Sequence, residues 1–412
     1  MVWLIQYELK KMLFRPFSIM AILITLAVNT ITICSDSGGS LIQRQDIEMQ
    51  KVEQYQYAGA INQEWANLIE TKLQEVRGNL GNLISQDEQE QVRQDYLRRG
   101  YTKEYVNSMD NTAFLKPELL HGLAYRVLLD AEASSEFYDN AQKMSVALGN
   151  MYRTEFDGKQ GEVLAAKAEG MYGHLAQRYT AYYDYNLGWN KLISLQKLLP
   201  FTVGLFLLVT LSTIFSEEYS LKTDSLLLSS KYGKSKLPQA KVMAAILATT
   251  GVWLIVQVVN LLLVAWLFGL QGAHTFVQNW VYNNSPFAFT HFTHYLAFTF
   301  MSFLGALSFA AVIIFTSAKK KSPFISLLIS SMVLLLPVMG GIANIGGFIG
   351  ELLYFMPAQM LIAANHFIFF KAYYILGNAI LMQHLVLVVA IVAATLMVPI
   401  ACRTFQQWQV ES

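Results

Sequence analysis

The sequence predicts an all-α polytopic membrane protein: six transmembrane helices, with a helical extracytoplasmic domain inserted between the first and the second. Three observations lead there. Six charge-free apolar runs are long enough to span a bilayer, the short loops between them alternate between basic and nearly cation-free, and one long acidic segment separates the first run from the second.

Composition sets the frame. Of 412 residues, 54% are hydrophobic and only 14% are charged, against roughly 25% charged in an average soluble domain. The net charge of +1 hides an asymmetry. Residues 36–190 hold 15 Lys/Arg against 23 Asp/Glu, a net of −8, and the remainder holds 15 against 6, a net of +9. A soluble acidic part is therefore set into an apolar frame with basic loops.

A spanning helix takes about 20 mostly apolar residues. The runs 17–34, 198–216, 242–270, 295–317, 324–350 and 379–402 qualify, and none contains Asp, Glu, Lys or Arg. Lys10, Lys11 and Arg15 precede the first run, as in a signal peptide. Its apolar stretch is too long for a signal core, and Cys34-Ser35-Asp36-Ser37 makes a poor cleavage site, so it reads as a retained anchor. Residues 1–16 mix Trp3, Leu4, Met12 and Phe14 with Glu8, Lys10 and Lys11, the pattern of an amphipathic interfacial helix.

The loops set the orientation. Basic clusters fall before the first run, between the second and third (Lys222, Lys231, Lys234, Lys236, Lys241), between the fourth and fifth (Lys319, Lys320, Lys321) and after the sixth (Arg403). Segment 271–294 has no Lys or Arg, and 351–378 has only Lys371. The positive-inside rule then places both termini, including the tail 403–412, in the cytoplasm and the segment 35–197 outside. Residues 351–376 are apolar but interrupted by Pro357 and His366. They read as external re-entrant helices rather than two more spans.

Within the external domain, good helix formers dominate and β-branched residues are sparse, so a helical fold is expected. Residues 68–76 place apolar side chains on one helical face. Turns are expected at Gly78-Asn79 with Gly81, and at Asp157-Gly158. The aromatic run Tyr172, Tyr179, Tyr182, Tyr183, Tyr185 and Trp189 reads as an interfacial belt, or alternatively as a docking surface for an apolar or peptidic substrate.

No chemistry announces itself. There is no GxxxxGK[ST] phosphate loop, so no ATP site and no catalytic residues are expected on this chain. The glycines between Gly340 and Gly350 suit close helix packing or a kink. His291 and His294 have a metal-compatible spacing but no Asp, Glu or Cys beside them in sequence, and read as interfacial histidines. Cys34 and Cys402 fall near opposite faces of the bilayer, too far apart to bridge. The spans lack the carboxylates and bases that ion-coupled carriers use. Their polar content is hydroxyls, His384, and the amides Gln257, Asn260 and Asn344, the residues available to line a translocation path for an amphipathic compound. An energy source outside the chain fits this better than an ion gradient.

Residues 215–241 resemble the cytoplasmic loop of the ABC-2 family of ABC transporter permeases. That pattern runs from an apolar span into an acidic residue, then a Leu-Leu pair, a basic residue and a Lys opening the next span. Glu217 or Glu218, Leu226-Leu227, Lys234 and Lys241 occupy those places. The chain departs from it with Ser220-Leu221-Lys222-Thr223 where Gly-Thr is common, and with Ser229-Ser230-Lys231-Tyr232-Gly233 in place of Ser-Pro. Leu352-Leu353-Tyr354-Phe355-Met356-Pro357 looks like the family's Leu-rich stretch before its external helices. The large insertion marks a branch many of whose members export peptides, antimicrobials or other small molecules.

The resemblance implies a permease subunit in the bacterial plasma membrane, paired with an identical or related chain. Cytoplasmic ABC ATPase subunits would carry ATP and Mg, with no cofactor on this chain and no nucleic-acid partner. Within the loop, Glu217, Glu218, Leu221, Leu226, Leu227 and Lys234 would form a coupling helix seated in an ATPase groove. The alternative is a membrane sensor whose external domain binds a peptide and signals inward through the same loop.

Overall fold

The computed structural model describes residues 1–35, 41–278, 282–342 and 347–407. About 75% of it is helical. In chain order, α1 (Val2–Leu13) and α2 (Pro16–Cys34) lead into a body of shorter helices: α3 (Arg44–Tyr55), α4 (Gln63–Gly78), α5 (Gln86–Arg98), α6 (Lys103–Asn107), α7 (Pro117–Leu120), α8 (Leu123–Ser135), α9 (Phe137–Glu155) and α10 (Gly158–Gln177). A long apolar stretch follows as α11 (Leu187–Leu195), α12 (Leu205–Leu211) and α13 (Ser216–Ser220), then α14 (Asp224–Ser229), α15 (Lys236–Leu267), α16 (His291–Lys319), α17 (Pro323–Ile342), α18 (Gly347–Tyr354), α19 (Pro357–Leu361) and α20 (Met382–Gln406).

Among the described residues, five stretches are long and apolar enough to cross a membrane: α2, Leu187–Ser220, α15, α16 and α20. They have the lengths an all-α polytopic membrane protein requires. The fifth expected span falls on α17, whose 20 residues, about 30 Å, match the roughly 30 Å of a bilayer core and are apolar over Pro323–Met339. Pro337 lies inside that helix.

The second span begins earlier than the charge-free run suggested. It starts at Leu187 and runs for 34 residues. Lys191 and Lys197 hid this extension from a charge criterion. In the fold, Lys191 turns its ammonium onto the Ser35 carbonyl at 2.6 Å, while Trp189, Leu192 and Ile193 pack inward. Pro200, which has no N–H, sits at the start of a π-helical turn over 200–204, closed by Gly204 N to Leu199 O at 3.0 Å.

The helical body has its own core of Trp65, Ile69, Leu73, Tyr125, Leu128, Leu164, Ala168 and Tyr172. The expected turns are present: α4 ends at Gly78 and Asn79 caps the following 3-10 turn, and Gly158 opens α10 with φ +60°. Helices α9 and α10 form a close antiparallel hairpin, tied by Arg153 to Glu169 and Glu162.

Two short antiparallel pairs were not expected. The first joins β1 (Gly59–Ala60) to β2 (Tyr182–Tyr183), closing the body where the chain leaves it. The second joins β3 (Ala372–Ile375) to β4 (Asn378–Leu381). The helices expected over 351–376 therefore stop at Phe367. Beyond it the β-rich, aromatic Ala372-Tyr373-Tyr374-Ile375 pairs across Leu376-Gly377, both at positive φ. The aromatic run also differs from a lipid-facing belt or an open docking surface. Tyr172, Tyr183, Tyr185 and Trp189 are buried, and the Tyr185 hydroxyl donates to the Phe268 carbonyl at 2.8 Å.

Candidate functional site

The loop leaving the second apolar stretch is built on charge pairing. On α1, Glu8 and Lys11 are three residues apart and share one helical face, and Arg15 follows in the turn that leads into α2. That face meets Glu217, Glu218 and Lys241. The Glu218 carboxylate accepts from Lys11 and from Lys241, each at 2.9 Å. Lys241 also donates to Glu8 at 3.0 Å. Glu217 pairs with Arg15 and lies 3.7 Å from Lys11. Three acids meet three bases, and Lys241 is 1% exposed. Burial is tolerable only because each of these charges is paired.

Hydrogen bonds fix the backbone of the loop to the end of α16. The Ser317 hydroxyl accepts from Phe215 N at 3.0 Å and Ser216 N at 3.1 Å, and donates to Ser212 O at 2.9 Å. The Tyr219 hydroxyl donates to Ala318 O at 3.2 Å. Phe405, near the end of α20, packs its ring against Phe215 and Tyr219.

The chain then breaks rather than continuing as one helix. Lys222 has φ +53°, a region that side chains seldom adopt, and α14 starts afresh at Asp224. Beyond α14, Gly233 is so close to the Leu227 carbonyl that a Cβ would lie 1.7 Å from it.

This geometry divides the sequence-predicted coupling residues. Glu218 points inward and Leu227 packs against the main apolar core. Glu217 is half-buried in the ion pairs. Leu221 and Leu226 face outward, at 64% and 76% exposed, and Lys222, Lys231, Lys234 and Lys236 are exposed around them. The outer face is therefore apolar and basic. The acidic pair, expected within the coupling helix, is used internally. Sequence reading missed Glu8 and Lys241 as its partners, although the face on α1 could have suggested them.

No family model, curated protein or solved structure matches this chain.

The remaining polar candidates do not form one path. Gln257 and Asn260 are buried on α15. The Asn260 amide approaches Asn29 of α2 at 3.5 Å, and Asn29 donates to Thr25 O at 2.9 Å. They join two helices. His384 lies on the exposed side of α20, at its third residue, and does not join them. Asn344 lies outside the described residues.

His291 and His294 are buried in protein, not at an interface. His291 Nδ1 lies 3.0 Å from Thr275 O, and Nε2 lies 3.2 Å from Asn190 Oδ1. His294 sits among the rings of Tyr282, Phe289, Phe298 and Phe367. Among the described residues no cluster of His, Cys, Asp and Glu could hold a metal.

Where the body meets the apolar helices there is a cavity of about 500 Å³, which the sequence did not announce. Its walls come from α3, α8 and α11. Asp130 lies in the wall, its carboxylate accepting from the Tyr183 hydroxyl at 3.0 Å. Burial pushes the Asp130 carboxyl up from its ordinary value, and the Tyr183 hydrogen bond opposes that shift.

Proposed function

We propose that this chain is the membrane-spanning permease subunit of an ATP-driven ABC transporter, exporting a peptide, antimicrobial or other amphipathic compound. It works in a bacterial plasma membrane as a homodimer or with a related permease chain. In this reading the chain crosses six times, with α17 as the fifth crossing, and both termini are cytoplasmic. The helical body lies outside, and ATP and Mg reside on separate ATPase subunits.

The observation that carries this reading is the outer face of the 217–236 loop. Leu221 and Leu226 project among exposed lysines, while the inner side is clamped to α1, α15 and α16. A rigid loop with an exposed apolar anchor can seat in a groove on a cytoplasmic partner. One such anchor supplies about 2 kcal/mol or more when it is a hot spot. Leu227, next to Leu226, packs on the main apolar core, so force on Leu226 is delivered to the helices.

The test is capture. Tagged full-length chain, solubilised in mild detergent, should co-purify an ATPase subunit. Leu226→Asp should leave insertion and elution volume unchanged and lower recovery of that subunit at least tenfold, the consequence of losing about 1.4 kcal/mol. Leu226 is the informative position because it is exposed. Leu227→Asp and Glu218→Lys would disturb the core and the ion pairs as well. Unchanged recovery with Leu226→Asp, or no ATPase in the wild-type eluate, overturns the proposal.

A further inference from the structure

The cavity between the body and the second apolar stretch has the dimensions of a ligand site, and its chemistry is specific. Gln54 is 4% exposed and lines it, and the Gln54 Oε1 accepts no hydrogen bond from any described residue. A buried acceptor left unpaired costs about 1–3 kcal/mol, and since this one is closed to water, a ligand donor recovers that cost once the Gln54 side chain turns toward the cavity. Asn186 and Asn190 add two more amides to the wall, the Asn190 Nδ2 donating to Asn186 Oδ1 at 2.8 Å. Val127 and Ile193 contribute apolar surface between these amides. Two cations, Arg126 and Lys197, line the cavity from exposed positions, against one acid, Asp130, whose carboxylate is taken up by the Tyr183 hydroxyl.

We infer that this cavity binds a short peptide with a free C-terminal carboxylate, its backbone paired by the amides and its carboxylate held by Arg126 and Lys197. A side-chain amide offers both a donor and an acceptor, as a peptide group does. A wall that alternates such amides with aliphatic groups therefore suits an extended peptide. A lipid tail would need uninterrupted apolar lining, and here Gln54, Asn186 and Asn190 break it. Guanidinium and ammonium groups both pair with a carboxylate, Arg in bidentate fashion. The cavity also adjoins the apolar helices through structure already described. Asn190 contacts His291 at the start of α16, and the lining residue Tyr282 packs on His294. Occupancy would thus be felt at the head of α16, whose other end holds the 217–236 loop. This inference goes beyond the transport proposal, since a peptide sensor would need the same cavity.

Binding is measured on the purified full-length chain in detergent micelles, with no ATPase present, by isothermal titration calorimetry. The probes are an equimolar pool of tetrapeptides made from Ala, Leu, Val and Tyr with free C-termini, the same pool C-terminally amidated, and lysophosphatidylglycerol. The free-acid pool is expected to bind saturably and at least tenfold more tightly than the amidated pool. Arg126→Gln should remove that preference. Gln54→Leu, close in size but without the acceptor, should weaken binding about tenfold. Leu129→Trp, filling the cavity from a half-buried position in its wall, should abolish binding should Gln54→Leu fail to fold. Unfolding is monitored by elution volume and a cooperative melt. The inference is overturned by no saturable binding of either pool, by unchanged binding in the folded Gln54→Leu or Leu129→Trp chain, or by binding of lysophosphatidylglycerol alone. A chain that captures no ATPase can still pass this test, so the two proposals fail separately.

Discussion

At the scale of single residues, the decisive feature is Lys241. Its ammonium lies between Glu8 and Glu218, and neither acid is exposed to water. Removing the cation leaves the Glu8 carboxylate unpaired at low dielectric beside Glu218, which keeps Lys11. Lys241→Met keeps the stem and deletes the charge, so the loss should be large, about 3–5 kcal/mol as for other broken buried pairs. The check is a thermal melt of the detergent-solubilised chain, with Lys231→Met, an exposed lysine on the same loop, as a control that should move little. A Lys241→Met chain melting within a degree or two of wild type would mean that the pairing contributes nothing to stability. Local sequence signals carried the acidic pair and the lysine, but not who would meet whom. Glu8 and Glu218 are brought together only by the packing of α1 on α15, across more than 200 positions. Gln257 and Asn260 were recognisable as polar groups in an apolar run, yet the use of Asn260 as a tie to Asn29 depends on the neighbouring helix.

Elements were legible where their period was long. The apolar helices α2, α15, α16 and α20, and the face of α4 that buries Trp65, Ile69 and Leu73, follow from hydrophobic spacing alone. Pairings between distant short segments were not, because β1 finds β2 across 120 residues and two residues carry no period. The loop after α13 was expected as one helix, and the break at Lys222 has no strong local signal. Hairpin α9–α10 shows how sequence and packing combine. An Ala Cβ at Gly161 would lie 2.2 Å from Phe156 O and 2.8 Å from Tyr152 O, both backbone, whereas at Gly170 on the same helix it would meet nothing within 4 Å. Gly161→Ala should therefore destabilise the chain by about 1–3 kcal/mol through overpacking. Gly170→Ala should stabilise it by up to about 1 kcal/mol through helix propensity. Opposite signs in thermal melts of the two variants are the expected result. A shared sign would show that the hairpin relaxes around Gly161.

On the scale of the whole molecule, the contacts sort the chain into two ends. Glu8, Lys11, Glu218, Lys241, Ser317 and Phe405 gather at one end through the bonds already described. Ser35, Tyr185, Phe268 and His291 gather at the other, on the side of the helical body. The chain leaves α16 at the first end, where Ser326 of α17 meets Thr316, and enters α20 at the second, where Gln383 meets the carbonyl of His366. Between those two points the chain passes through α17 and α18. A crossing there, as proposed, would be the sixth and would put both termini on one side. The basic residues Lys11, Arg15, Lys234, Lys319, Lys320 and Arg403 belong to the first end, the end that the proposed orientation makes cytoplasmic. In a Cys34→Ala, Cys402→Ala background, single cysteines at the exposed positions Asn150, Ser235 and Lys320 test this directly. An impermeant maleimide on intact cells should label Asn150→Cys, and should reach Ser235→Cys and Lys320→Cys only after permeabilisation. Labelling of Ser235→Cys in intact cells at the level of Asn150→Cys would reverse the orientation and remove the loop from any cytoplasmic partner. Labelling of Lys320→Cys but not Ser235→Cys would separate two positions that Ser317 and Tyr219 hold at one end, and would refute the packing itself.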